Sequence, residues 1–262
     1  MNDKFYHSLS KNSKELIDKG YRLFDIENLD ILSELEKLFK SHLNEFSINE
    51  KELSQIHNHI EIENINNLRL SFFKKINKNN FTKTFLKLGY NAITEVVGTE
   101  LASNKMVNFS IQMPGDKTSK LAIHADTFTG ESEFQINLWI PLTDCFETNS
   151  MFIFNPTFSQ EIIRNLHNYE DDGIEKLLIT HQNEYEFIKI PYGKGLIFTP
   201  TCLHGNVLNE TSNTRISFNC RYKNLFSPYC ENEESEKKLG SFYVPLTPKA
   251  ATIIGLNNKQ GK

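Results

Sequence analysis

The sequence lacks any long apolar segment. Its first eight residues contain no apolar core of signal-peptide length. No run elsewhere approaches the roughly 18 apolar residues that a membrane span needs. From these absences we expect a cytoplasmic protein with no membrane partner.

Cysteine is scarce, and no two cysteines are arranged as C-x-x-C. In a reducing compartment we therefore expect buried thiols at Cys145, Cys202, Cys220 and Cys230. Cys202 lies two residues before His204 and could act as a soft metal ligand. A core thiol is the favoured interpretation, because thiolate suits zinc or iron–sulfur sites better than a site that activates oxygen.

Positive charge is not in excess, since the formal net charge is −4. No global basic field points to a nucleic-acid partner. The chain also lacks a glycine-rich phosphate loop, an internal repeat and a low-complexity segment. Its 262 residues are enough for one full core. With no linker visible, we expect one domain over 1–262: a mostly helical part to 104, a β-rich core over 105–225 and a C-terminal extension over 226–262.

The first hundred residues show mostly helical periodicity. Apolar residues recur at helical spacing over 28–46, with Asn28 as the N-cap. Two more helices are predicted over 65–76 and 80–97, with apolar stripes that cover one side of a sheet. The close pair His57 and His59 stands among polar residues, which predicts a solvated loop rather than a metal site.

At about Lys105 the period changes from helical to alternating. Apolar side chains at odd positions alternate with Asn108, Ser110 and Gln112. The clearest strand covers 134–142, where Asn137 lies beside the single tryptophan, Trp139. That face either lines a cavity or pairs Asn137 with neighbouring backbone. Further strands are predicted over 21–26, 149–156, 184–190, 196–200 and 215–222. Helices are predicted over 159–169 and 172–178, and the tail over 241–254 is expected to pack along the outside.

Two imidazoles and one carboxylate follow predicted strands. His124 and Asp126 come after the apolar run 121–123, and His204 comes after 196–200. Such a set can hold one face of a non-haem Fe(II) and leave the opposite face open. Taken alone, the H-x-D tripeptide is equally typical of a surface turn in which Asp126 caps the backbone. The order, spacing and strand context of all three residues favour a metal site.

Arg215 lies eleven residues beyond His204 and is followed two positions later by Ser217. An H-x-D motif, a distal histidine and Arg-x-Ser at this spacing resemble the Fe(II)/2-oxoglutarate-dependent oxygenases. The resemblance covers about 105–225. Within it, 134–154 looks most like the phytanoyl-type branch and resembles bacterial oxygenases from carbohydrate-biosynthesis clusters. It implies a mainly β fold with N-terminal helices, namely a double-stranded β-helix (a jelly-roll, cupin-like barrel) flanked by α-helices, which the many short strands also suit.

The resemblance also implies roles for individual residues. His124, Asp126 and His204 would bind Fe(II). Arg215 would bind the distal carboxylate of 2-oxoglutarate bidentately, and Ser217 would add a hydrogen bond. The alternative for Arg215 is a structural arginine paired with an acid. Gln112 and Asn137 are candidates for holding the co-substrate or positioning the substrate.

The expected reaction consumes O2 and 2-oxoglutarate and releases succinate and CO2. Hydroxylation of an unactivated C–H bond is the expected outcome, with desaturation and ring closure as other exits. Related halogenating enzymes lack the carboxylate found here at Asp126, so oxygenation is predicted rather than chlorination. The narrower resemblance suggests a sugar or sugar-derived small molecule as substrate. Polar residues in the loop 127–131 and the N-terminal helices are expected to line its pocket.

Some alternatives stay open in the sequence. Asn219 and Arg221 continue the alternation of Arg215, and Arg221 either meets an anionic substrate group or pairs with an acid. The chain could instead be a cupin-type metal isomerase or ring-opening dioxygenase, which needs no arginine clamp. It could also be a non-catalytic jelly-roll binding module in which the histidines are structural. The sequence does not predict an oligomeric state.

Overall fold

A computed structural model describes residues 3–169, 173–229 and 236–260. The predicted first long helix is present, and Asn28 Oδ1 caps it by accepting from the amide of Ile31 at 3.1 Å. None of the helices in the described ranges is long and apolar enough to cross a membrane. The α-helices are α1 (Asp3–Ser8), α2 (Lys11–Lys19), α3 (Leu29–Glu45), α4 (Ile62–Ile76), α5 (Thr82–Leu86), α6 (Tyr90–Val97), α7 (Pro156–Arg164), α8 (Leu177–Thr180) and α9 (Ala250–Gln260).

The strands form two sheets in which each named pair of neighbours is antiparallel. The larger sheet has the order β1-β8-β5-β10-β2-β11, and β3 also pairs with β10. The smaller sheet has the order β4-β9-β6-β7. The strands are β1 (Tyr21–Asp25), β2 (Leu101–Asn104), β3 (Asn108–Gln112), β4 (Leu121–His124), β5 (Gln135–Pro141), β6 (Phe152–Phe154), β7 (Tyr185–Phe187), β8 (Lys194–Phe198), β9 (His204–Asn206), β10 (Arg215–Asn224) and β11 (Tyr243–Pro245).

This arrangement is the cupin-like fold with flanking helices, so the predicted fold class is confirmed. Within the described ranges, hydrogen bonding does not close the two sheets into one continuous barrel. The larger sheet draws β1, β2 and β11 from outside 105–225, the range in which the sequence predicts the β-rich core. One face of the larger sheet is covered by helices, and the other face is turned toward the smaller sheet.

The helices cover the outer face of the larger sheet, as their apolar stripes predict. Phe39 of α3 and Phe72 of α4 stack edge-on with ring centroids 4.8 Å apart. Phe72 in turn lies 4.9 Å from Phe109 of β3, and Phe109 lies 4.9 Å from Phe218 of β10. Burying each such ring contributes about 1.5–3 kcal/mol. This cluster fixes α4 beside β3, at the edge of the site described below.

The inner face of the larger sheet is different in character. Trp139 packs there with Met151, which directly precedes β6, and with Phe198 of β8 in a second core. Residues two positions apart in a strand share a face, so Asn137 also points inward. Every residue of β5 is buried, so this strand is covered on both faces.

Several predicted boundaries are wrong for local reasons. The helix predicted over 80–97 is divided into α5 and α6 at Gly89, where a side chain would approach the Phe24 ring to 2.7 Å. The helix predicted from 159 begins at Pro156, because Asn155 caps it by accepting from the amide of Phe158 at 2.8 Å. β2 starts at 101, ahead of the period change near Lys105.

Other predictions need smaller corrections. Residues 53–58, with His57, form a 3-10 helix rather than a loop. Over 172–178 the structure has a 3-10 helix, Ile174–Lys176, followed by α8, and residue 172 lies outside the described residues. The thiols of Cys145, Cys202 and Cys220 are free and buried as predicted, whereas Cys230 lies outside the described residues.

Candidate metal centre and its cavity

The histidine pair stands where β4 and β9 meet. His124 and His204 are opposite each other in the register, and their ring centroids are 4.3 Å apart. The strands approach so closely that a side chain at Gly205 would come within 2.7 Å of the Leu121 carbonyl oxygen. Glycine after the histidine is therefore required by packing. Asp126 begins the 3-10 helix Asp126–Thr129 directly after β4.

The three side chains converge on one point. Asp126 Oδ1 is 3.7 Å from His124 Nε2 and 3.9 Å from His204 Nε2. One possible ligand atom from each residue lies within 4.8 Å of the others, and no second such group of His, Cys, Asp or Glu occurs among the described residues. Adjacent ligand atoms that each lie about 2.1 Å from one ion are about 3 Å apart. A small inward movement of each side chain would bring the three candidate ligand atoms to that spacing.

Backbone carbonyls fix both imidazoles in one tautomer. His124 Nδ1 lies 2.9 Å from the Ala122 oxygen, and His204 Nδ1 lies 2.9 Å from the Cys202 oxygen. Each Nδ1–H donates, which leaves the Nε2 lone pair facing Asp126. Burial lowers the pKa of His204 to about 4, so this imidazole is neutral at pH 7. Neutral imidazoles with free Nε2 atoms are the form that binds metals.

Asp126 is ionised despite its burial. Burial alone would raise its pKa, but the positive charge of Arg221 and the hydrogen bond from Asn137 lower it below the usual value. Asn137 Nδ2 donates to Oδ2 at 2.5 Å, and Arg221 Nη2 lies 3.3 Å from Oδ1. The inward face around Asn137 thus lines a cavity, and its amide donates to a side chain rather than to backbone. Asp126 does not act as the cap of a surface turn.

Arg221 begins a buried polar chain that leads away from the metal site. Its Nε donates to Glu131, which also accepts from Gln135 Nε2 at 2.6 Å. Gln135 Oε1 in turn accepts from the Tyr243 hydroxyl at 2.5 Å. Of the two sequence alternatives for Arg221, the structure shows the pairing with acids. The C-terminal segment, predicted to lie along the outside, supplies the buried Tyr243 to this chain.

Arg215 is buried without an acidic partner. No carboxylate of the described residues forms an ion pair with it, so the alternative of a structural ion pair is not found. Its Nη2 is 3.5 Å from Ser110 Oγ, its guanidinium carbon is 5.9 Å from the Trp139 ring centre, and Nε has no partner among the described residues. Burial lowers the pKa of Arg215 to about 10, which leaves it charged at pH 7. The Oγ of Ser217 is likewise buried without a partner in the described part of the chain.

One cavity of about 320 Å³ joins these groups. Its wall contains the three candidate metal ligands, and it also contains Arg215, Ser217 and Asn137. Gln112 is not part of the wall, and its Nε2 donates to the Val207 carbonyl at 2.6 Å. The loop 127–131 does not line the cavity either, and among the described residues up to 100 only Arg69 reaches it.

Sequence reasoning missed several residues of the wall. Asn108 and Ser110 could have been found from the sequence, since they are the inward polar positions of the alternation in β3. No sequence pattern pointed to Arg69 or Lys120, because a charged residue on a helix or before a strand is ordinarily solvated. The second histidine pair is elsewhere: His57 contacts Thr214 at 2.9 Å and His59 contacts Glu50 at 2.9 Å.

The sequence matches no family model, and it matches no curated protein by sequence. Solved structures do resemble the fold. The non-heme monooxygenase ThoJ, in its nickel complex, shares 15% identity over 96% of this chain and 95% of its own, with a TM-score of 0.51. The non-heme α-ketoglutarate-dependent epimerase SnoN from nogalamycin biosynthesis shares 12% identity over 94% of each chain, with a TM-score of 0.52.

EctD from S. alaskensis, solved with 2-oxoglutarate and 5-hydroxyectoine, has a TM-score of 0.56. It shares 12% identity over 84% of this chain and 77% of its own. At such identities the likeness is one of fold.

Proposed function

We propose that this chain is an Fe(II)/2-oxoglutarate-dependent dioxygenase that hydroxylates an unactivated C–H bond of a small polar molecule. The observation that carries the proposal is one cavity with three convergent ligand side chains and a buried arginine that has no acidic partner among the described residues. A co-substrate with one chelating end and one carboxylate end suits that combination.

The donor set fits ferrous iron. Two neutral imidazoles and one carboxylate on one side of an ion leave positions free on the other side. Cys202 does not join the set, since its Sγ accepts from Thr199 Oγ1 at 3.3 Å. Iron held by His124, Asp126 and His204 would supply the centre at which 2-oxoglutarate and O2 react to give succinate, CO2 and oxidised substrate. The carboxylate at Asp126 favours oxygenation over halogenation.

The arginine end fits a carboxylate. Arg215 Nε and Ser217 Oγ are buried polar groups with no partner in the described part of the chain, and such groups cost about 1–3 kcal/mol each when left unpaired. A carboxylate of 2-oxoglutarate would accept from both, with the planar guanidinium fixing its orientation. Asn137, by contrast, would act on Asp126 rather than on the co-substrate.

The cavity sets the size of the substrate. Its volume of about 320 Å³ is at the lower end of the range for ligand pockets, so a co-substrate leaves room for only a small molecule. The polar wall suits a hydrophilic compound, and a sugar or sugar-derived metabolite is our specific proposal. The similar fold of EctD, a structure with 2-oxoglutarate, adds support for the co-substrate.

The test is anaerobic. Fe(II) is added to metal-free protein, 2-oxoglutarate is titrated, and the visible metal-to-ligand charge-transfer band is recorded. Wild type should develop the band. Arg215→Ala should require at least about tenfold more 2-oxoglutarate, because a charged hydrogen bond contributes about 1.5–3 kcal/mol. Asp126→Ala should not hold iron in the same concentration range.

The rival functions give different results. Iron binding without the band in wild type would favour a cupin-type metal enzyme that does not use 2-oxoglutarate. Failure to bind iron at all would favour a binding module with structural histidines. Circular dichroism of each variant separates a lost site from a lost fold.

A further inference from the structure

Part of the cavity wall is left over once the metal and the co-substrate are assigned. Asn219 lies two residues beyond Ser217 on the same face of β10, and Asn108 is its cross-strand neighbour on β3. Asn219 Oδ1 is buried without a hydrogen-bond partner, and the Asn108 side chain also has none among the described residues. Both amides line the cavity. Amides that face a cavity without a protein partner are free to hydrogen-bond a ligand there.

A cation lines the same cavity as these amides. The chain has five arginines, and two of them, Arg22 and Arg221, pair with carboxylates. Arg69 lines the cavity from α4, which packs against β3. Its Nη2 donates to Asn66 Oδ1 at 2.6 Å, and no carboxylate of the described residues pairs with it. The helix is anchored by the buried Leu68 and Phe72 on either side of this position.

The charge of the wall leaves this cation uncompensated. Asp126 is the one carboxylate residue in the described wall, and it belongs to the metal set. Lys120, also in the wall, is 3.4 Å from Glu175. Arg215 is assigned to the co-substrate. Arg69 therefore has no negative counterpart from the described protein, and a guanidinium binds carboxylate or phosphate oxygens bidentately.

Building on the proposed function, we propose that the substrate carries an anionic group, a carboxylate or a phosphate, which binds to Arg69. Hydroxyl or N–H groups of the same molecule hydrogen-bond to Asn219 and Asn108. The substrate is then a small, hydroxylated anion held by residues of α4, β3 and β10 in the same cavity. Arg69 is a specificity-determining residue in this arrangement.

The experiment reads Arg69 directly. The full chain is loaded with Zn(II), as a diamagnetic substitute for iron, and with saturating 2-oxoglutarate to occupy Arg215. Inorganic phosphate and acetate are then titrated while the five arginine Nε–H resonances are followed by NMR. The Arg69 resonance, identified by its loss in Arg69→Gln, should shift saturably with at least one of the two anions. Which anion binds more tightly distinguishes a phosphate from a carboxylate substrate.

Arg164 provides the internal control, because it is exposed at the end of α7 and lies outside the cavity wall. The apparent dissociation constant at Arg69 should be at least tenfold lower than at Arg164. Equal responses at the two arginines, or no saturable shift at Arg69 with either anion, would overturn the inference.

The iron–2-oxoglutarate band, measured in parallel on wild type and Arg69→Gln, should be the same in both. If the band forms and Arg69 responds like Arg164, only this inference fails; if no band forms, the proposed function itself fails.

Discussion

At Asp126 the two carboxylate oxygens have different neighbours, and this difference decides how the residue can bind a metal. Oδ2 accepts from Asn137, whereas Oδ1 faces the Nε2 atoms of His124 and His204. Because Asn137 holds Oδ2, the carboxylate would offer one oxygen rather than two to an ion bound there. Binding through one oxygen would leave more positions free for the proposed co-substrate and O2.

Replacing Asn137 should therefore weaken metal binding without removing a ligand. We expect Asn137→Ala to reduce Fe(II) affinity by about 10- to 100-fold, the usual effect of losing a group that orients a metal ligand. Anaerobic titration of metal-free protein measures it. Asn219→Ala is the matched control, since Asn219 lies in the same wall and makes no hydrogen bond to Asp126. An unchanged affinity in Asn137→Ala would show that Asp126 is held adequately by other groups.

At the scale of the element, β10 organises the site through its alternation. Arg215, Ser217, Asn219 and Arg221 all face the cavity, because side chains two apart in a strand share a face. Their register with β3 and β5 places Asn108, Trp139 and Asn137 beside them. One strand thereby supplies the arginine proposed to bind the co-substrate, the residues proposed to bind the substrate, and the arginine beside Asp126, a candidate metal ligand.

The short strand β11 supports this site from behind. The Tyr243 hydroxyl donates to Gln135 and accepts from the amide of Ser132 at 3.3 Å. Tyr243→Phe leaves both buried groups unpaired, so we expect the free energy of unfolding to fall by about 1–3 kcal/mol. Urea denaturation measures the change. Tyr90→Phe, at a partly exposed hydroxyl with no partner among the described residues, should change it by less than about 0.5 kcal/mol.

These two strands also show where sequence reasoning succeeds and where it stops. The alternation in β10 and the helical spacing in α3 are local signals, and both elements are found where they were predicted. The link from Tyr243 to Gln135 joins residues 108 positions apart, and neither residue carries a local sign of the other. The prediction that Gln112 holds the co-substrate or positions the substrate is unsupported for the same reason. The face of the strand on which it lies could be predicted, but its hydrogen bond to Val207 depends on how distant strands meet.

At the scale of the whole molecule, the candidate site lies between the two sheets. The smaller sheet provides both histidines through β4 and β9, and the larger sheet provides Asn137, Arg215 and Arg221. Metal binding therefore depends on how the sheets pack, as well as on the ligands themselves. The order of the motifs was enough to predict that His124, Asp126 and His204 come together, but the two carbonyls that orient the imidazoles, at Ala122 and Cys202, follow only from the folded backbone.

The stability of the whole fold should depend on two buried thiols at alkaline pH. Burial raises the pKa of Cys145 and of Cys220 to about 12, whereas an unfolded cysteine ionises near 8.5. Above about pH 8.5 the unfolded chain therefore binds fewer protons than the native state, and stability falls as pH rises. Each thiol should remove about 1.4 kcal/mol between about pH 7.5 and 9.5.

Lys223 acts in the opposite direction over the same range. Burial lowers its pKa to about 8, so the unfolded chain holds this proton longer and stability rises with pH.

The contribution of the two thiols must therefore be measured as a difference between two proteins that both contain Lys223. Urea denaturation of wild type and of Cys145→Ala/Cys220→Ala, both under reducing conditions, isolates it because Lys223 is common to both. The double variant should be less stable at pH 7.5, since it leaves two small cavities, yet it should lose about 3 kcal/mol less than wild type on going to pH 9.5. Parallel pH dependences in the two proteins would mean that the thiols are ionisable in the native state and that the core around them admits water.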